Sequence, residues 1–269
     1  MKTKVFIHIV LFIGIIIMSF PFLWMILTSF KPQDEVLQIP LKWLPTKFEF
    51  SNYIQAWESA SFGRYFFNSI LVTVITVFGQ IFTSALAGYA FAKMKFTGKN
   101  LIFYVFLGTM MIPLEVTLIP NYILMKELGW LNTYFGLIVP WFASVFGIFL
   151  MRQFFKTVPQ ELFEAAEMDG CGHWSYLWKI LFPISTPVFV SVGIFSMIST
   201  WNSFLWPLIM TNSTNMRTLP VGLTYFTLEF STRYHLLMAA ATMAILPVAL
   251  VYFIAQRHFI QGIARTGLG

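Results

Sequence analysis

Long apolar runs alternate along this chain with short polar segments. A membrane-spanning helix takes about 20 mostly apolar residues, and six runs reach that length: 5–30, 65–92, 100–125, 134–154, 184–210 and 238–260. The pattern predicts an all-α, polytopic membrane protein with six transmembrane helices. Proline falls inside several runs, at Pro113 and Pro120 in the third, Pro187 and Pro207 in the fifth and Pro247 in the sixth. A membrane proline bends its helix and leaves a carbonyl for neighbours to satisfy. Bent helices suit a gated pathway, and they also occur in plain bundles.

Two intervening segments are substantial. Residues 31–64 combine Pro32, Pro40 and Pro45 with Trp43, Phe48, Phe50, Tyr53 and Trp57, which predicts an ordered surface cap with interfacial aromatics. Residues 211–237 mix the turn formers Thr211-Asn212-Ser213-Thr214-Asn215 with Thr218-Leu219-Pro220-Val221-Gly222. No internal repeat or low-complexity tract is visible.

Composition supports lipid as the main solvent. The 269 residues are 58% hydrophobic and 10% charged, where a soluble domain carries about 25% charge. The net charge of +6 is read as topological, because nucleic-acid binding needs a basic patch on a water-soluble face. Lys2 and Lys4 precede an apolar run too long for a signal-peptide core, with no small-residue cleavage site after it, so a retained first helix is expected. Positive charge concentrates on the cytoplasmic side of short loops. With the amino terminus inside, the inner segments hold Lys2, Lys4, Lys93, Lys95, Lys99, Arg152, Lys156, Lys179, Arg257 and Arg265. The short 93–99 turn with its three lysines is the clearest of these. Six spans then leave both termini in the cytoplasm of a plasma-membrane protein.

The same orientation puts residues 158–183, between spans four and five, on the cytoplasmic side. Glu161, Glu164, Glu167 and Asp169 stand there, and an acid at mid-bilayer costs roughly 2.5–3.5 kcal/mol, so the segment is a water-exposed elbow. Val158-Pro159-Gln160-Glu161 opens a short helix, with proline and acid both suited to a first turn. Leu162, Ala165 and Ala166 fall on one face by their spacing, and the alanines keep the helix thin enough for another surface to approach. Gly170 stands where a left-handed residue ends a helix. A second helix is expected from about His173 to Phe182, and Pro183 starts the return to the membrane. Residues alone leave two readings open: a docking knob, or an amphipathic connector on the membrane surface.

Glu164-Ala165-Ala166, Asp169-Gly170, Ile180 and Pro183 resemble the EAA loop of binding-protein-dependent ABC importer permeases. Met111-Ile112-Pro113, Leu131-Asn132-Thr133, Gly136-Leu137-Ile138-Val139-Pro140 and Trp201-Asn202-Ser203-Phe204-Leu205-Trp206-Pro207 resemble the carbohydrate-uptake branch, of the maltose-type second permease subunit. The likeness covers roughly 65–265. It implies a permease domain over 65–269 with a cytoplasmic coupling helix in the elbow, while the first apolar run and the charge pattern predict an N-terminal transmembrane helix and extracytoplasmic segment over 1–64. It also implies partners: a second related permease subunit, two ATPase subunits, an extracytoplasmic solute-binding protein and a carbohydrate substrate. Glu164, Ala165, Ala166, Asp169 and Gly170 would couple to the ATPase, with Glu164 meeting a basic residue of its cleft. Asn215, Arg217 and Tyr225, in the 211–237 loop, would contact the binding protein; that loop can also be read as a plain surface hairpin.

No chemistry of its own is legible. Thr97-Gly98-Lys99-Asn100 lacks the upstream glycine and the hydroxyl of a P-loop, so no cofactor is expected on this chain and ATP belongs to the partner ATPase. The chain is not expected to be an enzyme. His8, His173, His235 and His258 show no metal spacing, and Cys171 has no partner cysteine. Pathway candidates are Glu115, beside Pro113, and Trp201 and Asn202, read as lying inside span five. Glu115 is equally an interfacial carboxylate, Asn202 equally bonds a neighbouring helix, and Trp201 and Trp206 equally serve as packing. An ion-coupled transporter or channel acting alone is the alternative, and it calls for more intramembrane charge than Glu115 offers.

Overall fold

The computed structural model describes residues 2–228 and 233–266. The side chains of Lys2, Thr3, Leu228, Ala255 and 257–266 lie outside the described residues, and with them the expected inner cations Lys2, Arg257 and Arg265, and His258. The described residues form helices and no strand. The principal helices are α1 (Lys2–Ser29), α2 (Phe62–Lys93), α3 (Lys99–Thr109), α4 (Leu114–Glu127), α5 (Val145–Thr157), α6 (Gln160–Met168), α7 (His173–Ile184), α8 (Thr186–Trp201), α9 (Leu205–Met210) and α10 (Tyr234–Thr266). Helix α7 is π-helical over Tyr176–Leu181.

Four stretches are long and apolar enough to cross a bilayer: Lys4–Ser29, Phe62–Lys93, Tyr134–Thr157 and Tyr234–Ile254, the third interrupted at residues 142–144 ahead of α5. The count reaches six when α3 with α4, and α7 with α8, are each taken as one bent span. The third and fifth spans therefore differ from the continuous runs expected. Helices α3 and α4 meet at 98°, and α7 and α8 at 84°. The first break falls just ahead of Pro113, the N-cap of α4, because a proline biases the residue before it out of the helical region. The expected fifth span, 184–210, is also divided: α8 stops at Trp201 and α9 starts at Leu205.

The chain packs as two compact units, one of residues 1–67 and 217–247, the other of 68–216 and 248–269. In the first unit, residues 31–64 form the ordered cap that the aromatics predicted. The carbonyls of Ser29 and Lys31, left over where α1 ends, both accept from Asn52 Nδ2 at 2.9 Å. Lys31 is fully buried; its Nζ donates to the Lys42 carbonyl at 2.5 Å and lies 4.3 Å from the centre of the Trp24 ring. The buried Glu35 carboxylate accepts from the Thr46 hydroxyl, from the Thr46 N–H at 3.1 Å and from Lys42 at 3.5 Å. These donors hold its pKa below the usual carboxylate range, the Thr46 hydroxyl contributing most.

The core of the second unit gathers Ala85 and Tyr89 from α2, Met151 and Phe155 from α5, Tyr176, Leu177 and Leu181 from α7, and Val188, Phe189 and Val192 from α8. Close approach is made possible by glycine. A Cβ on Gly88 would lie 2.6 Å from Met151 Cβ, and one on Gly147 would collide with Ser84 Oγ. Small residues at such crossings let membrane helices pack backbone to backbone.

Candidate functional site

The two ends of α6 are built as the residues predicted. Pro159 is the N-cap of α6 and Glu161 lies in its first turn. At the other end Gly170 takes φ 75°, its N–H bonds the Glu167 carbonyl at 3.0 Å, and the Cys171 N–H bonds the Ala166 carbonyl at 2.9 Å. This paired pattern is the Schellman closure, which satisfies the last carbonyls of a helix through a left-handed residue. A Cβ at Gly170 would meet nothing within 4 Å, so conformation alone selects glycine there.

The faces of α6 differ from the expected grouping of Leu162, Ala165 and Ala166. Phe163 and Ala166 are the buried pair, while Glu161, Leu162, Glu164, Ala165, Glu167 and Met168 are exposed. Phe163 decides the rotation. Its ring stacks on His173 at 5.4 Å, edge-packs on Tyr176 at 5.0 Å, and brings Ala166, three residues on, into the core with it. The outward strip is Leu162, Ala165 and Met168, flanked by Glu161 and Glu164; Met168 is 84% exposed. Asp169 and Gly170 are exposed beside it.

Polar contacts tie the elbow to the end of α2. Tyr89 OH lies 2.6 Å from His173 Nδ1, and Lys93 Nζ donates to the Val158 carbonyl at 2.7 Å. Trp178 of α7 stacks on Phe82 of α2 at 5.9 Å. The knob is thus fastened to the membrane helices on one side and bare on the other. Tyr89, Lys93, Phe163 and His173 were not assigned these roles from sequence. The i, i+3 spacing of Phe163 and Ala166 allowed their pairing without selecting it over Leu162 with Ala166, whereas the Tyr89–His173 contact, 84 residues apart, carries no local signal.

A second feature went unread. Gln80 of α2, Trp141 and Ser144 ahead of α5, Phe146 of α5, and Ser196 and Ser199 of α8 line a cavity of about 300 Å³. Gln80 Nε2 donates to the Trp141 carbonyl at 2.7 Å, and Ser144 caps α5 through the Gly147 N–H at 3.1 Å. Ser196 is buried, and its Oγ has no protein partner. Ordinary ligand sites join aromatic walls to a few placed polar groups in this way. The available signal was the polar spacing of Thr73, Thr76, Gln80 and Thr83 within an otherwise apolar run.

The remaining candidates are dispersed. Glu115 is exposed in the first turn of α4. Trp201 is buried at the end of α8. Asn202 lies between two helices: it is the C-cap of α8, exposed, with Nδ2 donating to the Ile198 carbonyl at 2.8 Å. The break between α8 and α9 puts it there. Trp206 is a packing residue, its Nε1 bonded to the Gly136 carbonyl at 3.0 Å and its ring edge-on to Trp141. Asn215 is exposed, and its carbonyl accepts from Asn68 Nδ2 at 2.8 Å. Arg217 and Tyr225 are half-buried in the first unit. No group of three or more metal-binding side chains occurs among the described residues.

The described residues, all helical among their regular elements, with several apolar spans, two of them bent, and an elbow bare on one side, have the form of a multi-pass membrane protein. Comparison with known proteins gives that class a family. Residues 80–265 match the family described as the binding-protein-dependent transport system inner membrane component, and the chain belongs to it. It is 34% identical to the arabinooligosaccharides transport system permease protein AraQ of Bacillus subtilis (strain 168), over 93% of this chain and 90% of that one. It is 33% identical to the sn-glycerol-3-phosphate transport system permease protein UgpE of Agrobacterium fabrum, over 98% and 97%. Its fold matches a chain of a bacterial ABC transporter involved in the import of the acidic polysaccharide alginate, with a TM-score of 0.87, 24% identity and 96% coverage of both chains. The chain is a permease subunit of an ABC importer, as the EAA-like loop implied.

Proposed function

We propose that this chain forms one half of the translocation pathway of an ATP-driven carbohydrate importer, beside a second related permease subunit. Two separate ATPase subunits supply the energy, and an extracytoplasmic binding protein delivers the solute. Residues 65–269 are the permease domain. Both termini and the elbow face the cytoplasm, where Glu164, Ala165, Asp169 and Gly170 meet the ATPase and Ala166 holds the knob to its own chain. The observation that carries this reading is the mounting of α6: Phe163 and Ala166 locked into the core, Ala165 and Met168 bare. A lever has to be stiff on its load side and open on its drive side.

The cavity supports a polyhydroxylated cargo. Gln80, Ser196 and Ser199 offer amide and hydroxyl groups, and Trp141, Phe146 and Phe195 offer ring faces. Asn215, Arg217 and Tyr225 are assigned to the binding-protein side, and Glu115, Trp201 and Asn202 to the margins of the pathway. ATP binds the partners and no cofactor binds here. The arabinooligosaccharide and glycerol-phosphate systems of the relatives support a cargo among sugars and polyols without choosing one. The relatives lend no support to the ion-coupled alternative. Gentle solubilisation of tagged protein tests the assembly: an ATPase and a second permease are expected to co-purify. Isolation of the chain alone, together with gradient-driven uptake by it in liposomes, would reverse the reading.

A further inference from the structure

At one end of the second unit, the end of α2, the turn that follows it, the start of α3 and the end of α5 bring together four cations, Lys95, Lys99, Arg152 and Lys156. Lys99 Nζ donates to the Met94 carbonyl at 2.8 Å and the Ala92 carbonyl at 3.3 Å. Arg152 is buried; its Nε donates to the Phe91 carbonyl at 3.2 Å and its guanidinium lies 3.8 Å from the centre of the Phe103 ring. The charges that Lys99 feels are those of Arg152 and Lys156, both of its own sign. Lys93 differs, because Glu161 stands within electrostatic range of it. The first turn of α3 holds no acid and its N-cap Gly98 offers no side chain. Carbonyls and a ring face ease this gathering of cations, and among the described residues none of the four forms an ion pair with a carboxylate.

Beside these cations lies an open cavity of about 420 Å³, lined by Met94, Lys95, Phe96, Lys99, Asn100 and Leu101. Its apolar walls continue into the exposed face of α3, where Leu101 is 69%, Tyr104 65% and Val105 62% exposed. A charged pocket that opens onto an exposed apolar helix face has the form of a headgroup site. We propose that this cavity holds the phosphodiester of an anionic phospholipid, with Lys95 and Asn100 on the headgroup, Lys99, Arg152 and Lys156 supplying the field, and the acyl chains lying along Leu101 and Val105. Free phosphate shares the charge and lacks the acyl chains, so the exposed apolar face of α3 selects the lipid. The proposal needs only that the chain is membrane-embedded and stands apart from its assignment as an importer.

The test is native mass spectrometry of the purified full-length chain, with whatever subunits accompany it, after detergent exchange. Phosphatidylglycerol, phosphatidylcholine and inorganic phosphate are each offered at matched concentrations. Selective retention of phosphatidylglycerol is expected, as is roughly 20- to 30-fold weaker retention by the double variant Lys95→Gln, Lys156→Gln, since each lysine near a charged lipid surface contributes about fivefold. Equal retention of the two lipids would overturn the proposal. So would retention of phosphate at the level of phosphatidylglycerol, or full retention by the double variant. Should that variant fail to assemble, the charge-preserving pair Lys95→Arg, Lys156→Arg is used, which is expected to keep the lipid; its loss would count against a charge-based site.

Discussion

Ala165 and Ala166 are adjacent and chemically identical, yet one is exposed and the other lies in the core beside Phe163. Their large substitutions should therefore fail differently. Ala165→Trp is expected to leave thermal stability unchanged and to abolish ATP-driven uptake. Ala166→Trp is expected to lower stability itself by about 1–3 kcal/mol, the usual penalty for overpacking. Melting curves and uptake on the two variants separate them, and equal loss of stability in both would remove the distinction. Gly170→Val should cost roughly 1–2 kcal/mol, because only the left-handed backbone is at stake; an unchanged melting temperature would show that φ 75° is not required there. Gly170 was legible because a helix-ending glycine after an acidic turn has one common explanation. The inward role of Ala166 was not, since spacing alone groups it equally with Leu162 or with Phe163, and the Tyr176 and His173 rings that settle the choice come later in the chain.

Single elements follow their sequence where apolar length decides and depart from it where chain direction does. Helices α1 and α2 end within a few residues of the runs that predicted them. The 98° and 84° bends do not show in hydropathy, because a break leaves composition unchanged. The residue that marks the first is Pro113, and proline announces a bend without its angle. The 31–64 cap was legible as an ordered element from its aromatics, but not its polar pins Asn52 and Glu35. The depressed pKa of Glu35 gives the cap a defined pH dependence. A carboxylate whose folded pKa lies below its unfolded value adds stability above the unfolded pKa and loses it as pH falls through the folded one. Acidification from pH 7 toward 3 should thus loosen the cap, and Glu35→Gln should be less stable at pH 7 with a shallower acid loss. Parallel acid profiles for the variant and the parent would contradict this.

For the whole molecule, the family likeness and the fold point the same way. The sequence showed the class through the elbow and the motifs around it. It did not show the cavity at Gln80 and Ser196, whose walls come from three separated segments. If that cavity is on the solute route, Gln80→Leu should cut uptake several-fold while ATP hydrolysis by the complex continues; uptake at the parental rate would remove Gln80 from the route. The central proposal is narrower: that an ATPase grips α6 on its exposed strip. Cysteine cross-linking at that strip, in the assembled complex, measures this most directly. Ala165→Cys and Met168→Cys are expected to link to the ATPase subunit, with an efficiency that changes when ATP is added. Efficient labelling of both cysteines by a water-soluble reagent from outside the cell, with no ATPase adduct, would contradict it.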